Sequence, residues 1–200
     1  MEPVKIVRGT MAPLMRSHID TDQIIPKQFL KRVERTGFGP FLFYDWAYDH
    51  EGELKPDFIL NQAEYQGATV LVSGPNFGSG SSREHAPWAL LDRGFKAVVA
   101  PSFADIFRNN SHKNGLLPII LPEADVERLA ALAEDPSAEI EIDVKAETIT
   151  AGGTTVGFSI DPFVKHCLLH GLDDIAVTLE SEGEISQFET ARPEFKPSLT

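Results

Sequence analysis

Two short apolar runs constrain the fold of this 200-residue chain more than any other feature of its sequence. Residues 68–73 (A-T-V-L-V-S) and 96–100 (K-A-V-V-A) are continuous and rich in β-branched side chains, which is typical of strands buried on both faces of a sheet. Residues 82–93 between them look helical, and the Arg93-Gly94 pair is a common helix stop. The order strand, loop, helix, strand predicts a crossover unit and an α/β fold.

The loop of this unit, residues 76–85 (N-F-G-S-G-S-S-R-E-H), is open to several interpretations. A dinucleotide fingerprint needs a third glycine where Arg83 stands, a P-loop needs a following Gly-Lys, and a hydrolase nucleophile turn needs glycine where Glu84 stands. Ser81 and Glu84 instead match a capping box that would start a helix. Pro87 would then lack a needed N–H six residues after the cap, so a kink or restart is expected there.

The same loop also suits an anionic substrate. Glycines let the backbone approach a ligand closely, and a helix start offers free N–H groups. The Arg83 guanidinium is a planar fork that matches a carboxylate. Such donors would stabilise a serine alkoxide, so a serine here could remove a proton from the carbon next to a substrate carboxylate. The residues alone leave both the capping box and the anion site open, and they identify no substrate.

The remaining sequence continues the alternation of strands and helices and indicates a single domain over residues 1–200 without internal repeats. Residues 37–57, rich in Gly, Pro, Asp and aromatic residues, are predicted as a long surface connection, within a mobile loop at 26–57. The last ten residues, 191–200, are predicted as an extended tail. Further predicted elements are a strand within 3–15, a helix at 102–110, a strand at 116–121, an acidic helix at 123–134, alternating strands between 139 and 158, and helices at 162–170 and 173–180.

Composition argues against several classes of partner and cofactor. A net charge of −12 disfavours nucleic acid, whose phosphates require clustered Lys and Arg, and it disfavours an anionic membrane surface. The one cysteine, Cys167, cannot by itself ligate an iron–sulfur cluster or a structural zinc, so we expect no cofactor or metal bound by this chain. A lone cysteine and apolar runs too short to span a bilayer predict a cytoplasmic protein.

Four motifs follow one another along the chain. They are I-D-T-D-Q-I-I-P-K-Q-F-L-K, G-S-G-S-S-R-E-H, P-S-F-A-D-I-F-R-N-N and K-N-G-L-L-P-I. Together they resemble the small subunits of 3-isopropylmalate dehydratases, the swivelling β/β/α domain of the aconitase superfamily. Each motif alone is modest, but four in the same order are specific, and the resemblance covers nearly the whole chain. It implies an aconitase C-terminal type of fold, with a mixed sheet core and flanking helices.

The resemblance implies a hydro-lyase that interconverts 2-isopropylmalate and 3-isopropylmalate in leucine biosynthesis, by dehydration and rehydration through 2-isopropylmaleate. A [4Fe–4S] cluster on a separate large subunit would act as the Lewis acid, so this chain would be inactive alone. By position in the motifs, Ser81 matches the catalytic base, Arg83 the substrate-carboxylate clamp, and Ser82 a neighbouring hydrogen-bond donor. Asp22 matches an active-site aspartate that orients Arg83 or a ligand.

The resemblance also places substrate specificity at Phe29, Leu30 and Lys31. An apolar pair suits an isopropyl group, because burying it gains about 0.8 kcal/mol per methylene-sized unit. Lys31 and Arg32 are cations that could serve a further carboxylate. The alternative is the small subunit of a related citramalate/citraconate or homoaconitate hydro-lyase.

Two further residues within the motifs have simpler interpretations. His85 is expected to be a packed or capping histidine, and Asp20 a turn former. A non-enzymatic phosphohistidine carrier would need His85 as its phosphate acceptor, and it would leave the Ser-Ser-Arg sequence at 81–83 without a purpose.

Overall fold

A mixed β-sheet forms the centre of the molecule in the computed structural model, which describes residues 1–31 and 36–192. Within these residues the sheet has seven strands, and these are β1 (Ile6–Leu14), β2 (Val70–Ser73), β3 (Ala97–Ala100), β4 (Leu117–Ile120), β5 (Glu139–Asp143), β6 (Thr148–Ala151) and β7 (Thr154–Gly157). Their order across the sheet is β4-β3-β2-β1-β5-β6-β7. The predicted α/β class and mixed sheet are confirmed.

Strand β1 joins a parallel half of the sheet to an antiparallel half. It pairs in parallel with β2, with Met11 opposite Val70 and Leu14 opposite Ser73, and β3 and β4 extend this parallel half. On its other side β1 pairs antiparallel with β5, which continues into a meander with β6 and β7. The predicted crossover unit is therefore confirmed as the step from β2 to β3.

Helices connect and cover these strands. They are α1 (Thr21–Ile24), α2 (Tyr44–Ala47), α3 (His85–Arg93), α4 (Asp105–Asn114), α5 (Glu123–Leu132), α6 (Pro162–His170), α7 (Asp174–Leu179) and α8 (Glu182–Thr190). Short 3-10 helices add Lys27–Lys31, Gly39–Phe41, Ile59–Asn61 and Ala63–Tyr65. In the portions of the chain that the structure describes, no helix combines the length and apolar character needed to cross a membrane.

The parallel strands are buried on both faces, as their continuous apolar sequences predict. Along β2, Leu71 packs into one core layer, while Val70 and Val72 pack into the other. The first layer includes α3 and α4 residues such as Leu90 and Phe107. The second layer includes α5, α6 and the antiparallel half of the sheet. The two faces of the sheet are thus covered by hydrophobic layers. The ends of its strands are where a site can form.

Residues 37–57 contribute directly to the first core layer. Phe38 and Phe43 are fully buried, and the Phe38 amide donates to the Asp92 carboxylate at 2.7 Å. The prediction of a surface connection was wrong for Phe38 and Phe43, because their aromatic rings supply part of the core.

The mobility of 26–57 and the tail at 191–200 remain predictions. Residues 32–35 and 193–200 lie outside the described residues, and Arg32 falls in the first of these segments. Helix α8, just before the tail, was not predicted.

Candidate active site

Three loops that follow parallel strands meet at the carboxyl edge of the sheet. Two backbone hydrogen bonds join the loop after β2 to the loop after β1. The His18 amide donates to the Pro75 carbonyl at 2.8 Å, and the Gly78 amide donates to the Ile19 carbonyl at 2.7 Å. The same loop is joined to the one after β3, since the Phe77 amide donates to Ser102 O at 3.1 Å. Open α/β sheets bind ligands at this edge.

Gly78 fixes the path of the glycine-rich loop. Its φ is +76°, a conformation that L side chains rarely adopt. A Cβ placed there would lie 2.2 Å from Cγ and 2.5 Å from Cβ of Phe107, a fully buried residue of α4. The glycine therefore serves close packing of the loop on α4.

The predicted capping box at Ser81 and Glu84 was wrong. Helix α3 begins at His85, and its N-cap residue, Glu84, makes no side-chain capping hydrogen bond. The Ser81 backbone is held elsewhere: its carbonyl accepts from the Arg83 amide at 2.9 Å in a tight turn. The later start resolves the conflict with Pro87, which becomes the third helical residue, where no intrahelical N–H bond is needed.

A capping box is present instead at α1. The Asp20 carboxylate accepts from the Gln23 amide at 2.8 Å, and the Asp20 amide donates to the Gln23 side chain at 2.9 Å. Asp20, expected to form a turn, is the N-cap residue of this helix. The cap fixes the first turn of α1, which carries Thr21 and Asp22.

Asp22 and Arg83 are brought together across the two loops. Arg83 Nη1 donates to Asp22 Oδ1 at 2.5 Å and contacts the Ile25 carbonyl at 3.4 Å. The Arg83 side chain is 16% exposed and that of Asp22 is 55% exposed, so the ion pair lies at the protein surface with Asp22 on its solvent side. Both of these contacts use Nη1 of Arg83. In the part of the chain that the structure describes, Nη2 and Nε are therefore left to bind a carboxylate.

Ser81 and Ser82 lie exposed beside Arg83, and their main chain is held from two sides. The Thr21 hydroxyl accepts from the Ser81 amide at 3.1 Å and donates to the Ser81 carbonyl at 3.2 Å. Asn110 Nδ2, on α4, donates to the Ser82 carbonyl at 3.4 Å. In the described part of the chain neither serine hydroxyl has a hydrogen-bond partner, so both can face a ligand.

Thr21 and Asn110 were missed by the sequence reasoning. Both lie inside motifs that carried the family resemblance, I-D-T-D and F-R-N-N. Their place in these motifs was the signal that could have identified them as site residues. Residue type alone did not show that their side chains hold a neighbouring loop.

The predicted specificity residues lie in the segment that follows α1. Their 3-10 helix, Lys27–Lys31, begins two residues after Ile25. Phe29 stacks on Phe41, with ring centroids 4.1 Å apart. Leu30 is half-buried and Lys31 is exposed. The structure thus places an apolar side chain and a cation next to each other, and leaves the predicted role in specificity untested.

His85, at the start of α3, packs among aromatic rings. Its ring lies 5.2 Å from that of Phe38 and 4.7 Å from that of Trp88, measured between centroids. Burial lowers the pKa of His85, Glu84 raises it in part, and the Arg83 cation lowers it further. The lowered pKa favours the neutral ring, and the aromatic contacts agree with the expected packed histidine.

No group of three or more His, Cys, Asp or Glu side chains able to hold a metal ion is found within residues 1–31 and 36–192.

Comparison with family models gives two matches. The aconitase C-terminal domain matches residues 1–124, more than half of the chain. A model described as the C-terminal domain of the 3-isopropylmalate dehydratase small subunit matches residues 174–200. The first match contains the whole candidate site, and the second contains α7 and α8.

Similar proteins extend this likeness over the full chain. Proteins named 3-isopropylmalate dehydratase small subunit are 53% identical in Rubrobacter xylanophilus, over 100% of both chains, and 52% identical in Koribacter versatilis, over 96% of this chain and 99% of that one. The Bacillus subtilis small subunit is 53% identical over 96% of this chain and 97% of its own. A crystal structure of 3-isopropylmalate dehydratase from Methanocaldococcus jannaschii is 27% identical, with a TM-score of 0.66, over 91% of this chain and 98% of that one.

Proposed function

Since the chain belongs to the family of 3-isopropylmalate dehydratase small subunits, we propose that it supplies a serine base and an arginine clamp to an active site shared with a large subunit. The reaction would interconvert 2-isopropylmalate and 3-isopropylmalate through 2-isopropylmaleate, as a cytoplasmic step of leucine biosynthesis. The observation that carries the proposal is the exposed Ser81 next to the held Arg83–Asp22 pair at the carboxyl edge of the sheet.

Ser81 is proposed as the base. Its oxyanion would take the proton from the carbon next to a substrate carboxylate, and the released electron pair would form the double bond as the hydroxyl leaves from the neighbouring carbon. Rehydration at the other carbon then returns the proton from the same oxygen. Ser81 can take this part because its hydroxyl is exposed and the Arg83 cation is close in sequence and in the same loop.

Arg83 is proposed as the clamp for that carboxylate. The contacts with Asp22 and Ile25 hold the guanidinium through one nitrogen, so a carboxylate can approach the others as a bidentate ligand. Asp22 would orient the guanidinium, and the Ser82 hydroxyl would donate a further hydrogen bond. The arrangement binds an anion and fixes the carbon that Ser81 deprotonates.

The Lewis acid of the reaction would come from the partner. This chain has a single cysteine, so it cannot supply the three thiolates of an aconitase-type cluster. The [4Fe–4S] cluster of the large subunit would polarise the departing hydroxyl. The residues of this chain therefore account for proton transfer and carboxylate binding, which leaves the site incomplete without the partner.

Leu30 and Phe29 are proposed to favour an isopropyl group. Leu30 is half-buried on the core beside the stacked Phe29 ring, so an apolar substituent there would lose contact with water. The exposed Lys31 is a cation that the third carboxylate of a homoaconitate-type substrate could pair with, whereas citramalate/citraconate has only a smaller apolar group at this position. Comparing these substrates in the reconstituted enzyme distinguishes the candidates.

The test is reconstitution with the large subunit and its cluster. We expect hydration of 2-isopropylmaleate by the complex and by neither subunit alone. Ser81→Ala should lower kcat by about 10³-fold, the middle of the range for a general base, while assembly measured by size-exclusion chromatography is unchanged. Ser79→Ala, in the same loop, is the matched control and should keep normal turnover. Near-normal turnover by Ser81→Ala would remove Ser81 as the base.

A further inference from the structure

We propose that Thr21 is a positioning residue for Ser81, and that its hydroxyl sets the orientation from which the serine acts. This inference rests on the proposed function, because it assigns a purpose to Thr21 through Ser81. Thr21 touches the main chain of Ser81 and would not contact the substrate.

The contact between the two residues is reciprocal. The Thr21 oxygen accepts from the Ser81 amide at 3.1 Å and donates to the Ser81 carbonyl at 3.2 Å, so one hydroxyl satisfies both main-chain polar groups of the serine. Thr21 is 1% exposed, whereas Ser81 is exposed. A buried group thus holds an exposed one, and water does not compete at the Thr21 side.

Thr21 itself is held by the scaffold. Its amide donates to Ser79 O at 2.8 Å, and it occupies the first position of α1, whose start is closed by the Asp20–Gln23 capping box. The hydroxyl that holds Ser81 is therefore fixed at a capped helix start, in the segment that follows β1.

Ser81 needs this restraint because the residue before it is a glycine, whose backbone can adopt many conformations. This residue, Gly80, has φ of +93°. The Ser81 side-chain direction follows from its main-chain angles, which the Thr21 bonds restrict. A misplacement of about 1 Å at a reacting group costs on the order of 10²-fold in rate.

The first experiment compares Thr21→Val and Thr21→Ser in the enzyme reconstituted with its large subunit. Valine keeps the shape and removes the hydroxyl, while serine keeps the hydroxyl. We expect kcat to fall 10- to 100-fold in Thr21→Val with KM changed less than twofold, and Thr21→Ser to stay within threefold of wild type. Thr69→Val is the matched control, since Thr69 also bonds main-chain carbonyls, of Arg8 and Thr10, at the opposite end of β2. It should change kcat less than twofold. Equal losses in Thr21→Val and Thr21→Ser, or none in either, would overturn the inference.

The second experiment needs no activity. Amide hydrogen exchange in the full chain should be at least tenfold faster at Ser81 in Thr21→Val than in wild type, and unchanged in Thr69→Val. An unchanged Ser81 rate in Thr21→Val would overturn the inference. Normal turnover by Ser81→Ala would refute the proposed function, whereas an inactive Ser81→Ala together with a fully active Thr21→Val would refute this inference alone.

Discussion

Replacing Gly78 by alanine tests how the glycine-rich loop is held. The new methyl group would meet the Phe107 ring at 2.2 Å and the Phe107 Cβ at 2.5 Å. A ring can rotate, but a Cβ moves only with its helix backbone. Phe107 is also fixed between neighbouring rings, with centroids 5.2 Å from Phe77 and 6.1 Å from Phe103. Relief therefore requires a shift of the loop, and Ser81 would move with it.

The expected cost has two parts. A non-glycine residue at positive φ costs about 1–2 kcal/mol, and overpacking a dense core costs about 1–3 kcal/mol. Gly153→Ala separates them, because Gly153 has φ of +72° but its added Cβ would meet nothing within 4 Å. We expect the free energy of unfolding to fall by about 1–2 kcal/mol in Gly153→Ala and by about 2 kcal/mol more in Gly78→Ala.

Thermal or urea unfolding measures this difference directly. An additional 2 kcal/mol corresponds to roughly 4–8 °C in Tm for a chain of this size. In the reconstituted enzyme Gly78→Ala should also lose turnover, while Gly153→Ala, in the turn between β6 and β7, should keep it. Equal destabilisation of the two variants would show that Phe107 does not hold the loop at Gly78.

Two further predictions concern pH. Burial lowers the pKa of His112 to about 4, with Arg108 lowering it further and Asp161 raising it. Between pH 4 and 6.5 the unfolded chain therefore binds more protons than the folded chain. The free energy of unfolding, measured with urea, should rise across this window by roughly 3 kcal/mol more in wild type than in His112→Asn. A difference between the two proteins that does not change with pH would contradict this. The hydrogen bond from Lys165 at 2.5 Å and that from the Ile160 amide lower the pKa of Glu147. The stabilisation by this ion pair is complete above pH 4.5 and is lost as the pH falls through the lowered pKa of Glu147 in the folded protein. In acid unfolding, the stability advantage of wild type over Lys165→Met should therefore shrink. An advantage that persists at low pH would count against the ion pair.

The strands and most helices could be predicted because their signals are local. β-branched runs bounded by polar turns indicated β2 and β3, and an aspartate followed by a proline indicated the start of α6, where the Asp161 carboxylate accepts from the amides of Phe163 and Val164. These patterns act through neighbours in sequence, so tertiary contacts did not alter them.

The start of α3 could not be predicted, because a tertiary contact decided it. Ser81 and Glu84 carry the residue types of a capping box, but the Thr21 hydroxyl occupies the Ser81 amide and carbonyl. The partner is 60 residues away, and no local pattern indicates it. The burial of Phe38 likewise depends on α3, where Asp92 receives its amide.

The assembly of the site follows from one register. Leu14 lies opposite Ser73 in the ladder of β1 and β2, a separation of 59 residues, and Asp20 is bridged to Ser79 at the same separation. The two loops therefore have equal lengths between these pairs and run side by side beyond the strands. Parallel pairing thus brings the first turn of α1 next to Ser81 and Arg83. A residue inserted into one loop alone would shift this alignment by one position and separate Asp22 from Arg83, even with every motif intact, so the site depends on matched loop lengths as much as on its functional residues.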